Sequence, residues 1–253
     1  MSNWVSNGPC PQCDSKDNLA TYDDGHQWCW GCGHYVPGDK FYAVRKLGEP
    51  PQIAVPNQVV LPHDVDTQYP QKALDWIAKY ELTRSDLHKN RVLWSDGGQL
   101  LIFSFTDGEG RIIAWQGRNF GEKFRTKWYG RGQLEDTFVF FPRDTTRTSR
   151  IIFVEDIISA LKLGNVISEK GLSCVAMPIF GSHVSKKRLS RCLHLLNDPP
   201  TVTYWLDKDK AKEAVQFASN ARSLGFTAST IITELDPKEI SYANLHYHYI
   251  NSF

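Results

Sequence analysis

From residue 150 onward, short apolar runs alternate with amphipathic stretches. IIFVE (151–155), CVAMPIF (174–180), TVTYWLD (201–207) and FTASTII (226–232) are rich in the β-branched and aromatic residues that buried strands use. Between them, DIISALKLG, SKKRLSRCLHLL and KAKEAVQFASNARSLG carry apolar residues at helical spacing, and a last helical region begins at Pro237. The first of these helices is expected to stop at Gly164 and the third at Gly225. Such alternation predicts a mostly parallel sheet covered by helices, an α/β arrangement. Residues 63–149 are patterned differently. PQKALDWIAKYEL places Ala73, Leu74, Ile77, Ala78 and Leu82 on one helical face, and TRSDLHKN reads as a second short helix with Thr83 as its N-cap. The runs RVLWS, QLLIFSF, RIIAWQGR and TFVFF then predict strands, separated by the turns SDGG and TDGEG. The chain is therefore α+β as a whole.

Two further segments complete the organisation. Residues 47–62, LGEPPQIAVPNQVVLP, hold four prolines and few charges, the signature of a semi-rigid extended linker. Residues 1–46 ahead of it hold four of the six cysteines. The expected plan is 1–46, a linker at 47–62, a mixed basic β subdomain at 63–149 and an α/β sheet domain at 150–253. No internal repeat or low-complexity tract interrupts it.

Composition narrows the function classes. With 253 residues, 41% of them hydrophobic and 23% charged, the chain has material for one to two cored domains, which excludes wholesale disorder. No apolar run is long enough to predict a membrane span. The first residues show neither the basic nor the apolar region of a secretory signal. Cysteines in a chain read as leaderless point to a reducing compartment, hence the cytoplasm. Lys and Arg number 29 against 28 Asp and Glu, so contact with nucleic acid has to come from local patches.

The clustered cysteines read Cys10-x2-Cys13-x15-Cys29-x2-Cys32, the spacing of a zinc ribbon, with disulfides or a redox pair as the alternative. Each knuckle presents two sulfurs from one tight turn, and the stretch between them fits a β-hairpin. The ribbon is not basic, but it carries His26, Trp28, Trp30, His34 and Tyr35, rings that either stack on unpaired bases or cover a small core. Downstream, AWQGRNFGEKFRTKWYGRG sets Arg118, Lys123, Arg125, Lys127 and Arg131 against Glu122, interleaved with aromatics. This is either a phosphate-binding track or a solvated face.

Carboxylates gather at the expected strand ends: Glu155 and Asp156 after IIFV, Asp207 and Asp209 after TYWL, and Asp236 after the last strand. In an open α/β sheet the carboxyl edge is where ligands bind, and grouped carboxylates suit Mg²⁺. The plainer reading makes Asp156 and Asp209 helix caps. Cys174 and Cys192 read as core thiols, and Lys186, Lys187 and Arg188 as a solvated helix face.

These residues together resemble a known family. An acid ending a strand, a helix, and a DxD ending a later strand look like the TOPRIM fold. A four-cysteine ribbon, a Pro-rich linker and a basic segment ahead of it are similar to DnaG-type DNA primases, and more so to the primase half of phage primase-helicases. The DGH before the second knuckle, with His26, and an aromatic three residues after the last cysteine, Tyr35, fit that half. The resemblance implies synthesis of short RNA primers on single-stranded DNA from ribonucleoside triphosphates. It implies catalytic Mg²⁺ or Mn²⁺ at Glu155, Asp207, Asp209 and Asp236, and structural Zn²⁺ at the four cysteines. It places nucleotide contacts at Arg118, Lys123 and Lys127, the first and last of them catalytic, and template contacts at His26, Tyr35, Arg125 and Arg131. It implies a replicative helicase acting in trans, since no GxxxxGK[ST] motif occurs, and a DNA polymerase that receives the primer. A phage origin is implied as well.

Departures from the pattern keep other functions open. The family motif Glu-Gly-x-x-Asp reads Glu155-Asp156-Ile157-Ile158-Ser159, and Leu235 stands where a lysine usually precedes Asp-Pro. A zinc-TOPRIM binding module without polymerase activity, and a TOPRIM nuclease, are the alternatives.

Overall fold

The computed structural model describes residues 2–39, 59–107, 109–122, 126–134, 137–143, 148–181, 184–197 and 200–250. Most of the expected linker lies outside them. Among the described residues, no helix is long and apolar enough to cross a membrane.

The first sheet is a small antiparallel one: β1 (Trp4–Gly8), β2 (Leu19–Tyr22), β3 (Gln27–Cys29) and β4 (Tyr35–Val36), in that order. The second is a five-stranded meander of β5 (Val65–Asp66), β6 (Val92–Ser95), β7 (Leu100–Thr106), β8 (Ile112–Asn119) and β9 (Trp128–Gly132). Two helices enter before β6: α1 (Gln71–Ala78) and α2 (Arg84–Lys89). Thr83 caps α2 as expected. Its hydroxyl accepts from the Asp86 N–H while the Asp86 carboxylate accepts from the Thr83 N–H, a complete capping box.

The third sheet is four-stranded and parallel, as the alternation predicts. Its strands are β10 (Arg150–Val154), β11 (Cys174–Pro178), β12 (Thr201–Trp205) and β13 (Thr227–Thr230), ordered β11-β10-β12-β13. Its helices are α3 (Ile157–Glu169), α4 (Lys186–Cys192), α5 (Ala211–Ser223) and α6 (Tyr242–Ile250). Strand side chains alternate between faces. Ile152, Val154 and Trp205 join one core with Phe103, Phe105, Trp94 and α3, whereas Ile151, Phe153 and Tyr204 join a second core with Leu189, Ala214 and Ala218. The parallel sheet is thus buried on both faces, and its polar groups emerge at the strand ends. Cys174 and Cys192 are core thiols, as read from the sequence.

Three local expectations are corrected. The helix expected to stop at Gly164 runs on to Glu169 and gives way at Gly171, whose φ is +61°. Gly164 is there for packing, since a Cβ on it would lie 2.4 Å from the Cβ of buried Phe141. TFVFF forms no full strand: Phe141 makes a bridge to Ala176, and Pro142 has no N–H with which to extend it. Arg188 does not face solvent. It is 2% exposed and its guanidinium donates to the carbonyls of Ile179 and Pro178, which fixes the chain just after β11.

Gly164→Ala follows as a test of the packing. In an open helix the change is worth roughly 1 kcal/mol of stabilisation. Here the overlap with Phe141 is expected to reverse the sign and destabilise by about 1–3 kcal/mol, read as a lower midpoint in urea.

Candidate functional site

The four ribbon sulfurs come together. Cys10 follows β1, Cys13 sits in the next turn, Cys29 ends β3 and Cys32 lies in the turn before β4. Their ligand atoms all lie within 4.8 Å of one another, and the Cys10–Cys32 and Cys13–Cys29 Sγ pairs are each 3.7 Å apart. A tetrahedron with Zn–S bonds of about 2.3 Å has edges close to that length, and a disulfide would need about 2.05 Å. The geometry fits Zn²⁺ and excludes the disulfide alternative in this structure. Burial opposes ionisation of Cys29, yet the N–H groups of Cys32 and Gly31 bring its thiol down to about 7. At Cys32 the His34 N–H favours the thiolate, but burial and the surrounding sulfurs push the thiol up to about 12. Four thiolates this close call for a cation between them.

The ribbon rings are arranged unequally. His26 stacks on Tyr22 with ring centroids 4.0 Å apart and 10° between planes, and its Nδ1 lies 2.5 Å from Asp24 Oδ1. A carboxylate only accepts, so Nδ1 carries a proton and the Nε2 edge is left for another partner. Burial works against the Asp24 charge, but this hydrogen bond outweighs it and holds the carboxyl below its usual range. Tyr35 is 54% exposed, and its ring lies beside those of His26 and Trp28. Trp28 and Trp30 are also exposed.

The acidic residues emerge where β10 and β12 end. Val154 is level with Trp205 in the parallel pairing, so Glu155 and the Leu206–Asp207 step leave the sheet side by side. Glu155 Oε1 accepts from Lys210 Nζ at 2.6 Å, while Glu155 Oε2 is buried without a partner. Asp207 Oδ1 is likewise buried without a partner. Burial pushes the Asp207 carboxyl up to about 7; Lys238 opposes the shift, and the charges of Glu155 and Asp236 add to it. Asp156 caps α3, accepting from the N–H groups of Ile158 and Ser159, so the capping role weighed for it is real. Its other oxygen accepts from Lys238 Nζ at 2.8 Å. Asp236 accepts from the same ammonium at 2.6 Å.

Asp209 differs from its neighbours. It sits exposed in the 3-10 turn Lys208–Lys210, whose N-cap is Asp207. The expected gathering of Glu155, Asp207 and Asp209 is therefore looser than their spacing suggests. Among the described residues, the four cysteines alone form a group of three or more potential ligands within 4.8 Å of one another. Two lysines stand among the acids instead, Lys210 and Lys238. Sequence reasoning assigned neither a role, although both lie one or two residues from a singled-out aspartate. Glu155 Oε2 and Asp207 Oδ1 remain as two orphaned buried oxygens on adjacent strand ends. They fit a hard cation that takes one or two carboxylates and completes its shell with water and phosphate oxygens.

Of the basic residues, Arg118 is half-buried on β8, with its guanidinium over the rings of Trp76 and Trp128 at 5.2 and 5.9 Å. Its Nη1 lies 3.5 Å from the Lys127 carbonyl. Lys127 and Arg131 are exposed, Arg131 over Tyr129 at 5.0 Å. The stretch read only as a basic patch supplies a whole strand, β9, whose two glycines and exposure obscure its β pattern. Lys123 and Arg125 lie outside the described residues.

No family model matches the chain. A curated relative, a DNA helicase/primase of Enterobacteria phage T3, is 24% identical over 173 residues. The match covers 62% of this chain but 27% of that protein, about a quarter of its length. Among solved structures, the primase fragment of the bacteriophage T7 primase-helicase is similar over 99% of both chains, with a TM-score of 0.53 and 15% identity. A DnaG primase catalytic domain bound to single-stranded DNA is similar over 73% of both chains, with a TM-score of 0.52 and 14% identity. The resemblance carried by the cysteine spacing, the basic stretch and the acidic strand ends extends to three dimensions: this chain has the fold of DnaG-type and phage primases, ahead of which its four cysteines form a zinc-ribbon cluster.

Proposed function

We propose that this chain is a DNA primase, which makes short RNA primers on single-stranded DNA by metal-dependent nucleotidyl transfer. The observation that carries the reading is the pair Glu155 and Asp207. Two acids from neighbouring parallel strands each hold one buried, unsatisfied oxygen at the carboxyl edge of the sheet. The primase fold gives that edge its context.

Glu155 and Asp207 hold Mg²⁺ or Mn²⁺ on this reading, with Asp209 and Asp236 as the remaining acids of the set. The bound metal supplies Lewis-acid stabilisation of charge on the phosphoryl oxygens. Arg118, seated over the adjoining rings of Trp76 and Trp128, presents its guanidinium to the triphosphate, while Lys127 and Lys123 add point charges. Arg125 and Arg131 hold the template backbone. In the ribbon, the Nε2 edge of His26 and the exposed ring of Tyr35 read template bases. Residues 1–46 then form the template-recognition unit, 47–62 its tether, 63–149 the basic part of the polymerase core and 150–253 the TOPRIM domain. The DnaG relative bound to single-stranded DNA supports the template assignment. The phage T3 relative, a helicase and primase in one, supports a helicase partner. A polymerase that takes over the primer and a location in the host cytoplasm complete the reading.

Product analysis tests it. Zinc-loaded protein with labelled ribonucleotides, Mg²⁺ or Mn²⁺ and single-stranded DNA is expected to yield short RNA. Cut DNA would indicate a nuclease. Template binding with no product under either metal would indicate a binding module.

A further inference from the structure

Lys238 sits where a metal-binding site has no obvious use for a lysine. Its Nζ lies 2.8 Å from Asp156 Oδ2, 2.6 Å from Asp236 Oδ2 and 3.9 Å from Asp207 Oδ2. One ammonium therefore faces three carboxylates, two of them at contact distance, as a divalent ion would. It is also built in. The Lys238 side chain is 17% exposed, whereas Lys208, paired with Glu234 nearby, is 59% exposed. The Lys238 carbonyl accepts from Lys162 Nζ at 3.1 Å, and Lys162 is itself 1% exposed and anchored on Glu81 at 2.9 Å. Pro237 restricts the backbone on the other side.

The accounting of oxygens points the same way. Lys238 engages Asp156 and Asp236, and Lys210 engages one oxygen of Glu155. Among the described residues, the buried carboxylate oxygens left without a partner are one on Glu155 and one on Asp207. Two oxygens serve one Mg²⁺-type ion; of the other acids at this edge, Asp156 and Asp236 are engaged by the ammonium and Asp209 is exposed to solvent.

We infer that Lys238 is the resident cation of this site: it occupies the position of a second divalent ion, so that the folded protein binds one such ion between Glu155 and Asp207. Lys238 is a positioning residue in this scheme. It engages one oxygen each of Asp156 and Asp236, the latter lying against Asp207, and neutralises charge that a second ion would otherwise meet. The inference rests on the reading that Glu155 and Asp207 bind metal, and the test separates the two.

Mn²⁺ binding to the zinc-loaded full chain, counted by electron paramagnetic resonance and calorimetry, reads the stoichiometry directly. Wild type and the control Lys208→Met are expected to bind one Mn²⁺ at this site. Lys238→Met frees Asp156 and Asp236 and is expected to bind a second ion, while Lys238→Arg keeps the single ion. Lys238→Gln carries the same test should the methionine variant fail to fold. Two ions in wild type, or unchanged stoichiometry and affinity on loss of the lysine charge, would overturn the inference while leaving the acid site intact. Wild-type binding that survives Asp207→Asn unchanged would instead overturn the acid-site reading beneath it.

Discussion

Asp207→Asn is expected to abolish primer synthesis and leave template binding within about twofold of wild type. Asp207 offers one of two orphaned buried oxygens at the sheet edge, and the amide removes the charge while keeping the shape. Metal-held charge stabilisation is worth several kcal/mol in a transition state, and each 1.4 kcal/mol is tenfold in rate, so a fall of about 10³-fold or more is expected. Labelled primer on a gel reads the first part, and fluorescence anisotropy with single-stranded DNA the second. The same variant has a signature without metal. Burial raises the Asp207 carboxyl from its ordinary 3.8 to about 7 in the folded chain. A raised carboxylate favours the folded state below the unfolded value, and this contribution is lost as pH climbs through the folded one. Metal-free wild type should therefore lose stability relative to Asp207→Asn between about pH 4 and 8. Parallel melting curves across that range would contradict the environment assigned to Asp207.

Removing zinc is expected to unfold the ribbon and spare the rest of the chain. The ribbon core consists of Cys10, Leu19 and Cys29, far too little apolar surface to hold four strands. Structural zinc supplies on the order of 10 kcal/mol or more to such modules, so the metal is the source of order there. The two larger cores contain none of these residues. Chelation, or Cys29→Ser, should erase the ribbon amide signals in a nuclear magnetic resonance spectrum and leave the main thermal transition in place. On the proposed function, synthesis from a preferred template start should disappear with those signals. A ribbon that stays ordered without zinc would contradict the assignment.

Much of the fold is legible from residue order because the parallel sheet is simple in its demands. Buried strands such as 150–154 and 201–205 are dominated by apolar, β-branched and aromatic residues, and the acids that follow them mark where the chain leaves the core. The ribbon is legible for a different reason, since thiolate spacing reports directly on a tetrahedron. What escaped the sequence depends on contacts across long separations. Gly164 looks like a helix stop until Phe141 is seen against it. Arg188 looks solvated until the carbonyls after β11 are seen to receive it. Lys238 sits in a motif read for its aspartate, and its significance comes from Asp156, 82 residues away. Asp209 shows the opposite case. Its place in a DxD suggests convergence, but the 3-10 turn points it to solvent.

The most direct measurement is the sequence of RNA made by zinc-loaded wild type and by Asp207→Asn on a pool of single-stranded templates, with Mg²⁺ and Mn²⁺ in turn. The account predicts short RNAs that share a start site from wild type and none from the variant. Equal products from both proteins, or no RNA from folded, zinc-bound wild type with either metal, would contradict it.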